Sequence, residues 1–198
     1  MVAGVALVAL AGCSAGVAGQ PGASSAGSGS ATLSGSGKER LSPPLSQPAL
    51  DVKPFEGRPC ELLKPEQVAS LTKAKPPKPG DSILGPECSW RGADTVRDTS
   101  INVGLRVKDI YGLEAIYLNR GKYADFRVFQ VGGYPAVHAN ESAKAESMGN
   151  CGSWVGVSEK TSFSVIVHVQ EGNPDYATSC RVTGRVAELV IQNLKAAK

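Results

Sequence analysis

The chain has few of the residues that carry most enzyme chemistry. Of 198 residues only two are histidine, His138 and His168, and only 6% are aromatic. No G-x-S-x-G elbow, P-loop or H-E-x-x-H motif occurs. Their absence removes the local signatures of the α/β-hydrolases, the P-loop NTPases and the zincin peptidases, and no cofactor motif takes their place. A net charge of +3 is too weak to argue for nucleic acid as a partner. The cysteines form no C-x-x-C, so a metal centre or a redox pair lacks its usual spacing. The apolar stretch that opens the chain, MVAGVALVALAG, has twelve residues. A membrane-spanning helix needs about 20.

That stretch ends in Leu10-Ala11-Gly12-Cys13. A short apolar run that stops at small residues is a secretory signal and not a spanning helix. The last four residues resemble the bacterial lipobox, [LVI]-[AST]-[GA]-C. On that reading residues 1–13 are a lipoprotein leader, and the Cys13 thiolate takes a diacylglyceryl thioether and becomes the new N-terminus. No Lys or Arg precedes the apolar run, which departs from the usual pattern. Ser14 to Ser36 is almost entirely Gly, Ala and Ser, and such a segment cannot bury enough apolar surface to offset its chain entropy. Leu41 to Pro54 holds four prolines and reads as a semi-stiff spacer. The expected layout is a leader over 1–13, a tether over 14–54 and one globular domain over 55–198.

The domain is organised around Cys151 to Gln170. Phe163, Val165, Val167 and Val169 alternate with Ser164, Ile166, His168 and Gln170, the period of a strand with one buried face. With Val155 and Val157 before it, the stretch reads as a β-hairpin. A three-residue loop, Glu159 to Thr161, puts Cys151, Val155 and Val157 on the face of Phe163 and Val165. A two- or four-residue loop puts Trp154 there instead. The first is preferred because Cys151 then faces the final helix, which carries Cys180.

Upstream, Pro65 suits a first helical position and Glu66 the positive helix end, so a short helix over Lys64–Leu71 is expected. The Lys75-Pro76-Pro77-Lys78-Pro79-Gly80 run stops it and reads as a solvated loop in preference to a basic binding patch. Glu87–Arg91 and Ser100–Val107 read as strands, with Ile101, Val103, Leu105 and Val107 inward. Tyr111–Asn119 fits a helix. Phe126–Val131 and Tyr134–Ala139 are strands joined at Gly132-Gly133, where glycine supplies positive φ. Asp175 is expected to cap a last helix with the apolar stripe Val186, Ala187, Val190, Ile191 and Leu194. Strands are not separated by regular helical crossovers. The expected fold is therefore α+β, an antiparallel sheet of about six strands with helices packed on one side.

Apart from Cys13, four cysteines remain: Cys60, Cys88, Cys151 and Cys180. Disulfides persist in an exported domain, and four cysteines allow three pairings. Sequential pairing, Cys60–Cys88 and Cys151–Cys180, ties neighbouring elements. Each bridge would close a loop of roughly thirty residues, worth about 3–4 kcal/mol in the chain-entropy model.

Taken together, the lipobox at Cys13, Pro59-Cys60-Glu61-Leu62-Leu63 with Pro65-Glu66-Gln67-Val68, Cys88-Ser89-Trp90, Val131-Gly132-Gly133-Tyr134-Pro135-Ala136-Val137, and Cys151 and Cys180 ahead of Leu194 resemble a known family. The chain is similar, over Phe55 to Leu194, to actinobacterial cell-envelope lipoproteins that carry a domain of unknown function, such as the mycobacterial LprB and LprC lipoproteins. More remotely, the layout is similar to Mog1/PsbP-like domains. The resemblance implies a surface lipoprotein with two disulfides and no established catalytic residues.

Candidate ligand-facing residues are Trp90, Trp154, Tyr134 and His168. Trp90 and Trp154 each follow a cysteine within three residues, and packing on a disulfide competes with a stacking role. His168 reads as a partly exposed structural histidine. No catalytic or metal residue is assigned. The expected function is a non-catalytic binding or accessory lipoprotein on the extracytoplasmic face of the membrane, held through Cys13. Its partner would be an envelope protein or an apolar ligand. A hydrolase of envelope lipids or glycans, with His138 or His168 as base, is the alternative from another class. A structural lipoprotein with only protein partners is the third.

Overall fold

The two cleanest alternations in the sequence form the centre of a sheet. Strand β3 (Ser100–Arg106) pairs antiparallel with β7 (Ser162–His168), placing Ile101 opposite Val167, Val103 opposite Val165 and Leu105 opposite Phe163. All six side chains are at most 2% exposed. The computed structural model describes residues 40–197. Within them the other strands are β1 (Lys78–Ser82), β2 (Gly85–Trp90), β4 (Asp125–Val131), β5 (Tyr134–Asn140) and β6 (Asn150–Gly156). The seven lie in the order β1-β2-β3-β7-β6-β5-β4, and every neighbouring pair is antiparallel. An N-terminal and a C-terminal meander thus join where β3 meets β7. The fold is α+β, as expected, with seven strands.

The additional strand is β1, in the segment read as a solvated loop. It is an edge strand of Lys, Pro, Gly, Asp and Ser with almost no burial, so it carries no apolar alternation. Lysine and proline on an exposed edge also discourage pairing with other chains.

The hairpin of β6 and β7 forms with the expected faces but a shifted register. Val155 lies opposite Phe163, and the Val157 N–H donates to Thr161 O at 3.0 Å, so Ser158–Lys160 form the loop. The loop falls one residue earlier than Glu159–Thr161. Pairing then slips by two, an even number, and the faces are preserved. Gly132 and Gly133 make the tight β4–β5 turn with φ of 56° and 87°.

Helix α4 (Ser179–Ala196) lies on one face of the sheet. Val186, Ala187, Val190 and Ile191 are fully buried and Leu194 nearly so. Each of these valine, isoleucine and leucine side chains contributes about 1.5–3 kcal/mol. Asp175 does not cap this helix. A 3-10 turn (Tyr176–Thr178) intervenes, and the Asp175 carboxylate accepts from Arg181 at 3.4 Å and from Arg185 instead.

Helices occupy both faces, not one. The chain must travel from β3 in the centre to β4 on the edge, and this crossover takes the free face. Its helix α3 (Glu114–Leu118) packs Ile116 and Tyr117, with Leu113, against Val137 and Ala139 in a small second core. Val137 pairs with Trp154, on the face opposite Val155. The shorter helices α1 (Lys53–Glu56) and α2 (Pro65–Leu71) belong to the main core with α4.

The packed chain begins by Arg40, upstream of Phe55, where the spacer was expected to end. Ser42 and Val52 are buried. The Leu50 N–H donates to Val157 O at 2.9 Å, Ser46 Oγ to Gly133 O at 2.8 Å, and Tyr134 Oη to Pro48 O at 2.7 Å. Prolines in this strap fix its extended path, so it binds the surface by backbone bonds and not by regular structure.

Candidate functional site

A groove of about 1030 Å³ opens beside the Cys60–Cys88 disulfide. One wall is α1 and the 3-10 turn Pro59–Leu62, with Phe55, Cys60 and Leu63. Another is α2, with Val68 and Ala69, and the following loop from Thr72 to Pro77. Trp90 on β2 and the end of α4 complete it. The sequence builds these walls locally. Pro65 starts α2, and Gln67 Oε1 accepts the Lys64 N–H at 2.8 Å. The disulfide ties the 3-10 turn to β2. Asn193 of α4 donates to Leu62 O at 2.9 Å and to Gln67 Oε1 at 2.7 Å, fixing α2 against α4. Lys75 N–H donates to Arg91 O at 2.8 Å and Ala93 N–H to Lys73 O at 2.9 Å, which holds the loop to the end of β2.

The polar groups in these walls are therefore largely occupied inside the protein. Thr72 Oγ1 also accepts the Thr99 N–H, at 2.9 Å. What remains facing the groove is mostly carbon, the usual composition of a pocket for an apolar ligand. Lys64, Lys73 and Lys75 stand on its rim, exposed, and none is in an ion pair among the described residues. Glu61 lines it too, but its carboxylate is paired with Arg58 at 2.9 Å.

A second, more polar cleft of about 440 Å³ lies over the outer face of β2, β3 and β7, with Ser89, Asn102, Ile166 and His168. Of the candidate ligand-facing residues, Trp90 borders both cavities, although only 3% of it is exposed. His168 is exposed in the second, its Nδ1 lying 2.7 Å from Asn150 Oδ1. The other two face neither. Tyr134 is 1% exposed, with its hydroxyl on the strap and the Lys195 ammonium over its ring. Trp154 points to the face opposite Cys151 and packs beside Tyr123 at 6.1 Å, so it does not rest on the Cys151–Cys180 bridge. Trp90 does share the face of Cys88.

Both disulfides, Cys60–Cys88 and Cys151–Cys180, are formed. Around the second is a buried polar cluster that the sequence did not signal. His138 Nδ1 lies 2.7 Å from Ser153 Oγ, and Ser153 Oγ lies 2.5 Å from Thr183 Oγ1. The His138 ring stacks on Phe129 at 4.0 Å. Burial pushes its imidazole down to about 4, and the Arg127 guanidinium adds to the effect. Ser153 is wholly buried, and neither cavity is lined by it or by His138. The donor atoms of His138, Cys151 and Cys180 lie within 4.8 Å of one another, but the two sulfurs are joined to each other. Cys13 and the leader lie outside the described residues. Among the described residues no helix is long and apolar enough to cross a membrane.

Ala69, Asn193, Lys64 and Lys73 were not singled out by sequence, and Lys75 fell in the run read as a solvated loop in preference to a basic patch. Of the four candidate ligand-facing residues only Trp90 pointed to this place, together with the Cys60–Cys88 pair. Fold and groove define a class: a disulfide-braced α+β domain with an apolar groove beside a seven-stranded antiparallel sheet. The chain belongs to the family described as protein of unknown function, DUF3558, which it matches over residues 8–193. No curated protein and no solved structure matches it.

Proposed function

We propose that this protein is a lipid-anchored, extracytoplasmic lipoprotein of the bacterial envelope, similar to the actinobacterial LprB and LprC lipoproteins, whose folded domain binds an apolar ligand without transforming it. The groove beside Cys60–Cys88 carries the reading. Support for the anchor comes from the lipobox at Cys13 and the Gly/Ala/Ser segment after it. Acyl chains at Cys13 would hold the domain at the membrane surface, where apolar ligands are concentrated. The hydrolase alternative draws on one observation, the 2.7 Å approach of His138 to Ser153. Against it stand the complete burial of Ser153 and the low basicity of His138.

The test is uptake of an apolar fluorophore, Nile red, by a chain beginning at Ser14, which keeps every described residue. Ala69 lies exposed on α2 at the groove, so Ala69→Trp fills the groove from the solvent side without entering the core. Wild type should bind the dye, and Ala69→Trp should lose at least most of that binding at unchanged urea midpoint. Equal binding by the two proteins would reject the groove. Absence of uptake by both, with partner proteins bound instead, would favour the structural lipoprotein.

A further inference from the structure

Resting on that reading, we infer that the groove takes a single-chain amphiphile with an anionic head, the tail along its carbon-lined floor and a carboxylate or phosphate at its rim. Three independent features select this chemistry. Phe55, Leu63, Val68 and Trp90 supply the lining, and Thr72, Gln67 and Asn193 use their polar atoms on each other or on backbone. A ligand with polar groups along its length would lose its water and gain few partners there.

The rim carries the opposite character. Lys64, Lys73 and Lys75 line the groove, and among the described residues none of them pairs with a carboxylate. The acid beside them, Glu61, is offset by Arg58 at 2.9 Å. The field at the rim is therefore positive. A lysine suits this place because its four-carbon stem lies along apolar surface while its ammonium stays in water.

Finally, two of the three lysines sit on backbone that is already ordered. Lys73 O and the Lys75 N–H are both bonded to the segment after β2, and Pro76 and Pro77 follow directly. The backbone is thus set before the ligand arrives, which lowers the entropy lost on binding. A volume of about 1030 Å³ exceeds what a short polar metabolite fills and suits a long chain.

The experiment displaces Nile red with four probes that share one oleyl tail, each below its micellar concentration: oleate, oleoyl lysophosphatidate, oleyl alcohol and oleylamine. The expected result is that at least one anionic probe displaces the dye at a concentration on the order of tenfold below the alcohol, with the amine weakest. The stronger of the two anionic probes then identifies the head as carboxylate or phosphate. In Lys64→Glu/Lys73→Glu/Lys75→Glu the order should invert, the amine becoming the strongest. Equal displacement by all four in wild type would overturn the anionic head and leave the apolar groove standing. Failure of all four to displace a dye that Ala69→Trp excludes would overturn the amphiphile. Dye uptake that appears only on dilution would assign the groove to a second copy of the chain and overturn the proposal as well.

Discussion

The carboxylate of Glu114 accepts the backbone N–H of Ser42 at 2.8 Å and that of Leu41 at 3.0 Å, joining the start of the strap to the crossover helix. The contact is 8% exposed at Glu114 and 5% at Ser42. Burial alone would raise the pKa of this carboxyl. The two backbone donors, the Ser42 hydroxyl and the Arg40 guanidinium outweigh it, and the net shift is downward from 4.5. As pH falls, the unfolded chain therefore binds the proton first. The contribution is complete above the ordinary carboxylate range and is lost as pH drops through the lower folded value. Glu114→Gln should cost about 1–3 kcal/mol at neutral pH, the range for losing charged hydrogen bonds, and should flatten the acid limb of the stability curve. Urea unfolding at several pH values checks this, and hydrogen exchange at Leu41 and Ser42 should accelerate in the variant.

His138 should behave as a half-buried, neutral histidine. With its folded pKa near 4 and an unfolded value near 6.5, the unfolded state takes up the proton first. The contribution is full above about pH 6.5 and is lost as pH falls towards 4, amounting to at most about 3 kcal/mol. In NMR titration the His138 ring should stay neutral at pH 5.5. A midpoint for His138 near 6.5 would show that burial does not control it.

The two disulfides close loops of nearly equal length, with separations of 28 and 29 residues. The chain-entropy contribution is therefore alike, about 3–4 kcal/mol each. Their surroundings differ. Cys151 on β6 and Cys180 in the first turn of α4 are 1% and 3% exposed, whereas Cys60 is partly exposed at the groove. Changing Cys151 and Cys180 to Ser should lower the urea midpoint more than changing Cys60 and Cys88. The second double variant should weaken dye uptake out of proportion to its stability. Midpoints equal to wild type would show that neither bridge stabilises the fold.

The proposed anchor depends on Cys13. If the chain is lipidated there, Cys13→Ala should leave the protein as precursor or release it, because acyl chains at Cys13 would supply the membrane affinity. Fractionation with a carbonate wash reads this, and a cleaved Cys13→Ala chain that stays in the membrane would contradict it.

What could be read in the sequence depended on burial. The alternations at Ile101–Leu105 and Phe163–Val169 and the Val186–Leu194 stripe were legible because each buries one face in the main core. Strand β1 was not, since its residues face solvent and carry no apolar period. The strap was hidden for another reason: Leu41 and Ser42 are held by Glu114, more than seventy residues away, through backbone groups that any residue supplies. Nor could the groove be seen. Its walls come from segments around Phe55, Val68, Trp90 and Asn193, and only the fold brings them together. The paired cysteines hinted at it, because the Cys60–Cys88 bridge is what draws the first of these walls to β2.

The most direct measurement of ligand binding is photo-crosslinking with a diazirine-bearing oleate, followed by peptide mapping of the chain beginning at Ser14. Adducts are expected on peptides covering Leu63–Pro77 and on Ala196 and Ala197 at the C-terminal end of α4, abolished by Ala69→Trp. Adducts confined to the exposed apolar tips at Ile83 and Ile110, or labelling unchanged by Ala69→Trp, would contradict it.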